Sequence, residues 1–385
     1  MHANAGRSVE VDFLRGVVLI VIALDHIPAS VISHITLHVY AYCDAAEVFV
    51  FLGGYASAAA YCAMTARGSA AQATRRFLRR AFEIYRAYLL TAAAMLLAGL
   101  GMLALRIHPA SLPYTDAPDL LAAPLHALFD IVTLRRQPYL AAVLPMYVVF
   151  ALCTPAVAPF VRKHPLAALL ASVALWLYAP ALAHLLPSAD PIGWSFNPWA
   201  WQLMFVLGML CRQHPIPAAF QASRTGRCLS ALALATALAF AAFKLWGQGH
   251  PEPGEMKQHL AAIRVVSFIS IAWLVAQLVR IGWIGALARA LPHVVTVGRH
   301  GLICFVSGTG LSIAADVALH AADPTFLTHQ QALAAALSVD ILTIAAVLGI
   351  AVAAAAFKAQ RPVATRASNA DVMLATPTGE AQRGR

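Results

Sequence analysis

The sequence predicts an all-α polytopic integral membrane protein, and three observations support this fold class. Of the 385 residues, 61% are hydrophobic and only 11% are charged, and the mean hydropathy is +0.72, far more apolar than a soluble domain. Apolar windows of about 17 to 25 residues, the length that crosses a bilayer, recur along the chain. Lys and Arg residues gather in alternate connections, as they do in membrane proteins.

About ten windows have the length and apolar character of a transmembrane helix. In chain order they cover 14–34, 45–64, 84–105, 140–160, 165–186, 199–211, 228–246, 262–280, 300–320 and 332–357. The window at 199–211 is short, so its span must borrow from the preceding "GWSFNP". We expect one transmembrane domain over residues 1–358 and a disordered cytoplasmic tail over 359–385, which is polar and rich in small residues.

Both termini are predicted to be cytoplasmic. The segment "MHANAGRSVEVD" carries acids and lacks the pattern of a cleavable signal, so we expect the first apolar run to be a retained helix. With the N-terminus inside, twenty of the 27 Lys and Arg residues fall on the cytoplasmic side, six fall outside, and Arg86 lies within a span. Cytoplasmic loops retain such cations. The net charge of +10 therefore follows from topology and gives no reason to expect a nucleic acid partner.

The cysteines and the repeat pattern point to no cofactor. Six cysteines are scattered without CxxC or CxxH spacing, which favours small buried hydrophobes and gives no support for a metal site. No internal repeat or phosphate-loop motif is present. The oligomeric state is left open, with a homodimer as one option.

The first apolar run, "VDFLRGVVLIVIALDHIPAS", carries ionisable residues that cost roughly 3 kcal/mol each at membrane depth. Arg15 and His26 are eleven residues apart, so on a helix they share one face to within about 20° and are separated by about 16 Å. Asp25 faces another way, so we expect Asp44 or Glu47, at the start of the second helix, to orient His26. The alternative is an interfacial arginine and a structural histidine.

A basic helical stretch, "ATRRFLRRAFEIYRAYLL", precedes and enters the third window. Its cations are Arg75, Arg76, Arg79, Arg80 and Arg86. Lipid head groups explain such cations at about 1 kcal/mol each, and the alternative is a clamp on nucleotide phosphates. Arg86 lies beyond the head-group region, which favours the clamp, and Glu83 is its expected helical partner.

Other polar residues intrude near the membrane edges. The segment "GWSFNPWAWQLMF" combines aromatic and amide side chains that suit either an interfacial belt or a sugar ring: Trp194, Asn197, Trp199 and Gln202. His300 begins a helix on the cytoplasmic side, where it would be close to a cytoplasmic ligand. Asp340, in the last window, is expected to pair with an interior arginine.

Several motifs resemble those of a known family. "VDFLRGVVLIVIALDH" resembles the D-x-x-R-G and R-x10-H signature of acyltransferase-3-type membrane enzymes, and "AEVFVFLGGY" is similar to their F-x-x-S-G-[FY] motif. The blocks "DHIPAS", "DAAEVFVFLGGY", "FNPWAWQLMFVLGML" and "VGRHGLICFVSGTGL" resemble the OpgC family, in its order, over residues 8 to about 312. One departure is Gly53, where the pattern has serine.

The resemblance implies a membrane O-acyltransferase of the bacterial inner membrane that succinylates, or acetylates, a periplasmic glucan. His26 would be the general base for a sugar hydroxyl, Arg15 would hold the acyl-CoA donor (succinyl-CoA or acetyl-CoA), and no metal is implied. The basic helix and His300 would bind CoA, and the Trp194–Gln202 segment together with Tyr55 would contact the acceptor. Membrane lipids are the other expected partners.

Two other functional classes are consistent with parts of the sequence. A proton- or ion-coupled transporter could use His26, Glu47 and Asp340 as a relay, although the sequence has no paired broken helices and the relay leaves the basic helix unexplained. A non-catalytic acyl-CoA-binding scaffold is the third hypothesis, because Gly53 removes the serine hydroxyl.

Overall fold

A computed structural model describes residues 8–247, 254–321 and 328–360, and over these residues the chain is helical, without strands. The longer helices are α1 (Val9–Asp25), α2 (Ala45–Arg67), α3 (Ala70–Ala104), α4 (Pro124–Val132), α5 (Val143–Lys163), α6 (Pro165–Leu177), α7 (Pro198–Gln213), α8 (Arg224–Ala242), α9 (Ala262–Arg280), α10 (Trp283–Ala290), α11 (Pro292–Arg299), α12 (Gly301–Ala321) and α13 (His329–Gln360). Shorter helical segments lie at Ile32–Ile35, Leu37–Tyr40, Leu112–Thr115, Ala117–Ala122, Tyr139–Ala141, Ala179–Leu182, Ala183–Leu185, Ala218–Ala222, Phe243–Gly247 and Gly254–Gln258. From residue 361 onward, the predicted tail lies outside the described residues.

Several helices are long and apolar enough to cross a membrane. Within the described ranges seven segments meet this test by length and composition: Ala45–Arg67, Ala70–Ala104, Tyr139–Lys163, Arg224–Gly247, Ala262–Arg280, Gly301–Ala321 and His329–Gln360. The pair Pro165–Leu177 and Ala179–Leu185, bent by 68°, would make an eighth span. The predicted windows 14–34 and 199–211 correspond to α1 and α7, which have only 17 and 16 residues. The all-helical, multi-pass class agrees with the sequence, whereas the count of ten and the side of the termini stay predictions.

The first window is shorter than predicted because α1 ends at Asp25. His26 follows as the C-cap, with φ −89° and ψ −1°. Pro28, two residues later, lacks an N–H and disfavours a helical conformation in the residue before it. His26 therefore lies at the end of the helix and not inside it.

The loop after α1 is held by a buried acid from the last helix. One carboxylate oxygen of Asp340 accepts the backbone N–H groups of Val31 and Ile32, each at 2.9 Å, and the residue is fully buried. The prediction that Asp340 pairs with an interior arginine is therefore wrong. Two backbone donors at the start of a short helix bind one carboxylate oxygen instead, while the other oxygen, Oδ1, is buried without a hydrogen-bond partner among the described residues.

Close contacts between helices at glycines fix the centre of the bundle. A Cβ atom added at Gly54 of α2 would overlap the carbonyl oxygen of Phe205 in α7, and one added at Gly208 of α7 would overlap that of Phe51. Small residues let helix backbones approach in this way inside membranes. This contact holds α2 against α7. The side chains that follow Gly54 on α2 then line a cavity together with residues of α5 and α7.

Candidate active site

A cavity of about 730 Å³ opens beside the C-terminal end of α1, on the side predicted to be periplasmic. Its ionisable lining residues are Asp25, His26, His38, Asp44, Lys244, Lys257 and Arg264, and its aromatic ones are Tyr42, Phe49, Tyr139, Phe196 and Phe305. We call it the outer cavity. A mixed wall of charges and aromatic rings suits a polar ligand with flat apolar faces.

His26 lines the outer cavity without a fixed partner. Its ring lies 6.3 Å from the ring of Tyr139, centroid to centroid, and among the described residues it makes no side-chain hydrogen bond. Arg15, Ile22 and His26 follow one another at intervals of seven and four residues, and all three line cavities. The predicted common face of α1 is therefore present.

The carboxylates expected to orient His26 are bonded elsewhere. Asp44 accepts from Lys257 Nζ at 2.7 Å and from Arg264 Nη2 at 3.1 Å, while Glu47 accepts from Arg264 Nε at 2.6 Å. Asp44 still lines the outer cavity with His26. The prediction that either acid holds the imidazole is wrong, because two cations that were not assigned to the site take both acids.

These four residues form an ion-pair cluster at the start of α2, in which Glu47 and Arg264 are buried and Lys257 is partly exposed. Asp44 and Glu47 also make a capping box, in which each carboxylate accepts a backbone N–H of the first turn. The spacing of three between the acids is the sequence signature of such a box. Burial lowers the pKa of Lys257, which lies outside the membrane-length helices, but Asp44 and Glu47 outweigh this effect and raise the pKa above its ordinary value. The ammonium group thus stays charged.

A second histidine faces the outer cavity with a carboxylate behind it. The Nδ1 atom of His38 lies 2.8 Å from the Thr36 hydroxyl oxygen, which in turn lies 2.8 Å from Asp25 Oδ1. Lys244 donates to the carbonyl oxygens of His38 and Ala41 at 2.7 and 3.0 Å. The sequence reasoning missed His38 and Lys257, which lie in connections between the predicted windows, and Lys244, which lies near the end of the window 228–246.

A smaller cavity of about 320 Å³ lies on the side predicted to be cytoplasmic, and we call it the inner cavity. Arg15, Arg76 and Arg80 supply its cations, and Ser57 and Tyr147 supply hydroxyl groups. Three guanidinium groups around a pocket of this size suit an anionic ligand such as a phosphate.

The basic helix divides into two faces. Arg76 and Arg80 pair with Glu83 at 2.8 and 3.1 Å and line the inner cavity. The other three are exposed and line neither cavity: Arg75, Arg79 and Arg86. Arg86 lies over the exposed ring of Phe82 at 5.9 Å, so its predicted pairing with Glu83 is wrong, whereas its predicted role in CoA binding stays a prediction.

His300 lies near the inner cavity without lining it. A Cβ atom added at the next residue, Gly301, would be 3.2 Å from Arg15 Nη2. The start of α12 is therefore beside the Arg15 guanidinium. His300 directly precedes Gly301 in the chain, and its role in ligand binding stays a prediction.

An aromatic layer separates the two cavities. The Tyr147 hydroxyl donates to the carbonyl oxygen of Phe49 at 2.9 Å, and their rings are 5.3 Å apart. Phe49 in turn stacks on Phe305 at 6.1 Å. A Cβ atom at Gly53 would lie 2.6 Å from the Tyr147 hydroxyl oxygen. The hydroxyl of Tyr147 thus fills the space next to position 53, where the family motif has serine.

The amides predicted to bind a sugar are hydrogen-bonded within the protein and line neither cavity. Asn197 is the N-cap of α7, its oxygen accepts the backbone N–H of Trp199, and its Nδ2 donates to the carbonyl oxygen of Ala179 at 2.9 Å. Gln202 exchanges hydrogen bonds with the hydroxyl and carbonyl groups of Ser172 at 2.6 and 2.8 Å. An asparagine before a proline at a helix start is a capping signal, and this could have been read from "FNPW".

The aromatic residues of the same prediction also lie outside the cavities. Trp194 is buried and donates to the carbonyl oxygen of Pro187 at 3.0 Å, and Tyr55 lies under the Arg212 guanidinium at 5.7 Å. Neither these two nor Trp199 lines the outer or the inner cavity. Phe196 is the residue of this segment that faces the outer cavity.

The relay proposed for a transporter is not assembled. Glu47 is bonded to Arg264, and Asp340 is bonded to backbone amides of the first loop. Of the three relay residues only His26 lines the outer cavity. The described residues also contain no group of three or more His, Cys, Asp or Glu placed to hold a metal ion.

Comparison with known proteins gives a family match over nearly the whole chain. A family model described as "OpgC protein" matches residues 7–359. No curated protein matches the chain, and no solved structure matches it. The match covers α1 to α13 and therefore includes both cavities.

Proposed function

The chain belongs to the OpgC family, whose members are membrane acyltransferases of glucan modification, and on that premise we propose that it transfers an acyl group across the bacterial inner membrane. The donor is an acyl-CoA in the cytoplasm, and the acceptor is a hydroxyl group of a periplasmic glucan. Succinyl is preferred to acetyl as the acyl group because the family motifs are associated with glucan succinylation. No metal takes part.

The observation that carries the proposal is the pair of cavities at opposite ends of one helix face. The inner cavity contains Arg15 with Arg76 and Arg80, and the outer cavity contains His26. Over the eleven steps from Arg15 to His26 a helix rises about 16 Å, which is comparable to an extended pantetheine arm. A donor held by its phosphates at one end could present its thioester at the other.

The chemistry needs one base and one good leaving group. A glucan hydroxyl oxygen attacks the thioester carbonyl, a C–O bond forms, and His26 takes the hydroxyl proton. The C–S bond then breaks, and CoA leaves as a thiolate. Neutral imidazole suits this role because one of its ring nitrogens carries a lone pair that can accept the proton.

The aromatic layer between the cavities must open for the donor arm to pass. Tyr147 holds the layer through its bond to the Phe49 carbonyl group, and side-chain rotation of these rings is the smallest movement that joins the cavities. The Tyr147 hydroxyl also keeps a polar group at the position of the family serine. The scaffold hypothesis, which depended on the loss of that hydroxyl at Gly53, is correspondingly weaker.

Turnover is the direct test of the proposed function. We expect the purified protein, given radiolabelled succinyl-CoA and an oligoglucose acceptor, to release CoA only when the acceptor is present and to form an ester detected by mass. Acetyl-CoA should be a poorer donor. Release of CoA without an ester on the sugar, or ion transport without CoA release, would contradict the proposal.

The arginines of the basic helix should differ in donor binding. Replacement of Arg80 by alanine should raise the Kd for CoA by about tenfold or more, because a charge-assisted contact is worth about 1.5 to 3 kcal/mol. Arg79→Ala is the matched control, since Arg79 is the neighbouring residue on the exposed face and should change the Kd by less than about twofold. Isothermal titration with CoA measures both. If Arg80→Ala and Arg79→Ala raised the Kd for CoA equally, the phosphates of CoA would bind outside the inner cavity.

A further inference from the structure

The outer cavity contains a second histidine whose ring is held in one orientation. His38 Nδ1 lies 2.8 Å from the Thr36 hydroxyl oxygen and 3.6 Å from Asp25 Oδ1. The same hydroxyl lies within hydrogen-bond distance of Asp25 Oδ1 and of the Ser33 carbonyl oxygen, at 2.8 and 2.9 Å. Three connected groups, Asp25, Thr36 and His38, therefore form one chain of hydrogen bonds.

This arrangement selects one tautomer of the imidazole. The carboxylate of Asp25 and the carbonyl of Ser33 can only accept, so the single hydroxyl proton of Thr36 goes to one of them. The hydroxyl oxygen is then left to accept the Nδ1–H of His38. Nε2 consequently carries the lone pair, which is the form of an oriented general base.

The position of His38 also differs from that of His26. The His38 side chain is 44% exposed, and its backbone is fixed by the Lys244 hydrogen bond to its carbonyl oxygen. Both histidines line the same cavity. One histidine is therefore oriented and in contact with solvent, while the other lies at the end of α1 on the face shared with Arg15.

We propose that His38, held by Asp25 through Thr36, receives the proton that His26 takes from the acceptor hydroxyl and passes it to the solvent on the outer side. The inference rests on the proposed acyl transfer. In each turnover the C–O bond forms, the C–S bond breaks, and the thiolate leaves toward the inner cavity. The hydroxyl proton stays on His26, so a second base on the outer side returns His26 to its neutral form through a water molecule in the cavity.

The test compares His38 with a matched histidine of the same loop. In His38→Ala and His38→Gln, kcat should fall on the order of 10²-fold, the usual contribution of a positioned base, while the acceptor KM changes by less than about threefold. His34→Ala is the control, because His34 is exposed, its Nδ1 lies 2.8 Å from the Ser30 carbonyl oxygen, and it does not line the cavity. The kcat of His34→Ala should stay within about twofold of the wild-type value.

Chemical rescue separates proton transfer from a structural role. Imidazole added to His38→Ala should restore much of kcat, whereas pyrazole, a ring of the same size that is much less basic, should not. Thr36→Val, which removes the bridging hydroxyl and keeps the side-chain shape, should lower kcat by about tenfold through the loss of an orienting bond. This variant serves as the test if the His38 substitutions do not fold.

The outcomes distinguish this inference from the proposed function. If the wild-type protein forms no sugar ester, the acyl transfer itself is refuted. If the wild type is active and His38→Ala behaves as His34→Ala does, only the role of His38 is refuted. Equal rescue by pyrazole and imidazole would also refute it, because filling the space would then suffice.

Discussion

Replacement of His26 by alanine is expected to abolish acyl transfer and to leave the protein folded. The imidazole is the proposed base, and its removal should lower kcat by about 10²- to 10⁴-fold. The ring makes no hydrogen bond with other described side chains, so little folding free energy depends on it. CoA release measured with acceptor present gives kcat, and titration with CoA should give a Kd close to that of the wild type.

Two further variants make this prediction specific. His26→Gln keeps hydrogen-bonding capacity but cannot accept the proton usefully, so it should be as inactive as the alanine variant. Ile22→Val alters the same wall of the outer cavity one turn earlier and should keep most of the activity, since the change removes one methylene. An active glutamine variant would show that His26 has only a structural role.

The geometry of α1 could be predicted because it depends on local sequence alone. The spacing of Arg15 and His26 fixes their common face, whatever the helix packs against. The end of the helix could also have been placed at Asp25, because Pro28 prevents continuation. The predicted window extended to residue 34 because hydropathy alone does not detect this break.

The two faces of the basic helix were also present in the sequence. Arg76, Arg80 and Glu83 are separated by four and three residues, which places them on one face. Arg75, Arg79 and Arg86 are separated by four and seven residues and so share a different face. Applying the helical period to the whole set would have separated the cavity-lining cations from the exposed ones.

The outer cavity could not be predicted because its walls come from distant segments. Lys257 lies in the short helix Gly254–Gln258, and Tyr139 begins the short helical segment Tyr139–Ala141, far from it in sequence. Their approach depends on tertiary packing, which hydropathy windows do not report. Asp44 and Glu47 were assigned to His26 because they are the nearest acids at the start of the second helix, whereas their partner Arg264 follows more than 200 residues later.

The ion-pair cluster should dominate the stability of the outer side. Glu47 is fully buried and Arg264 is 4% exposed, and Arg264 Nε lies 2.6 Å from Glu47 Oε1. Removal of one partner of a buried pair costs about 3 to 5 kcal/mol when the other charge is left without compensation, whereas Arg264 would keep its 3.1 Å bond to Asp44. Glu47→Ala should therefore lower the free energy of unfolding by about 3 kcal/mol, the lower end of that range, measured by chemical denaturation in detergent with circular dichroism.

A double replacement and an exposed pair provide the controls for this prediction. Glu47→Leu combined with Arg264→Met removes both charges and should cost much less than the sum of the single changes, with a coupling energy above about 1 kcal/mol. Glu83→Ala breaks a pair whose side chains are 37% and 50% exposed, and it should cost less than about 1 kcal/mol. If Glu47→Ala and Glu83→Ala lowered the free energy of unfolding equally, water would have to reach the ion-pair cluster. In that case the Lys257 and Asp44 side chains would not be held rigidly in the wall of the outer cavity, and the position of the acceptor would depend on His26, His38 and the aromatic residues alone.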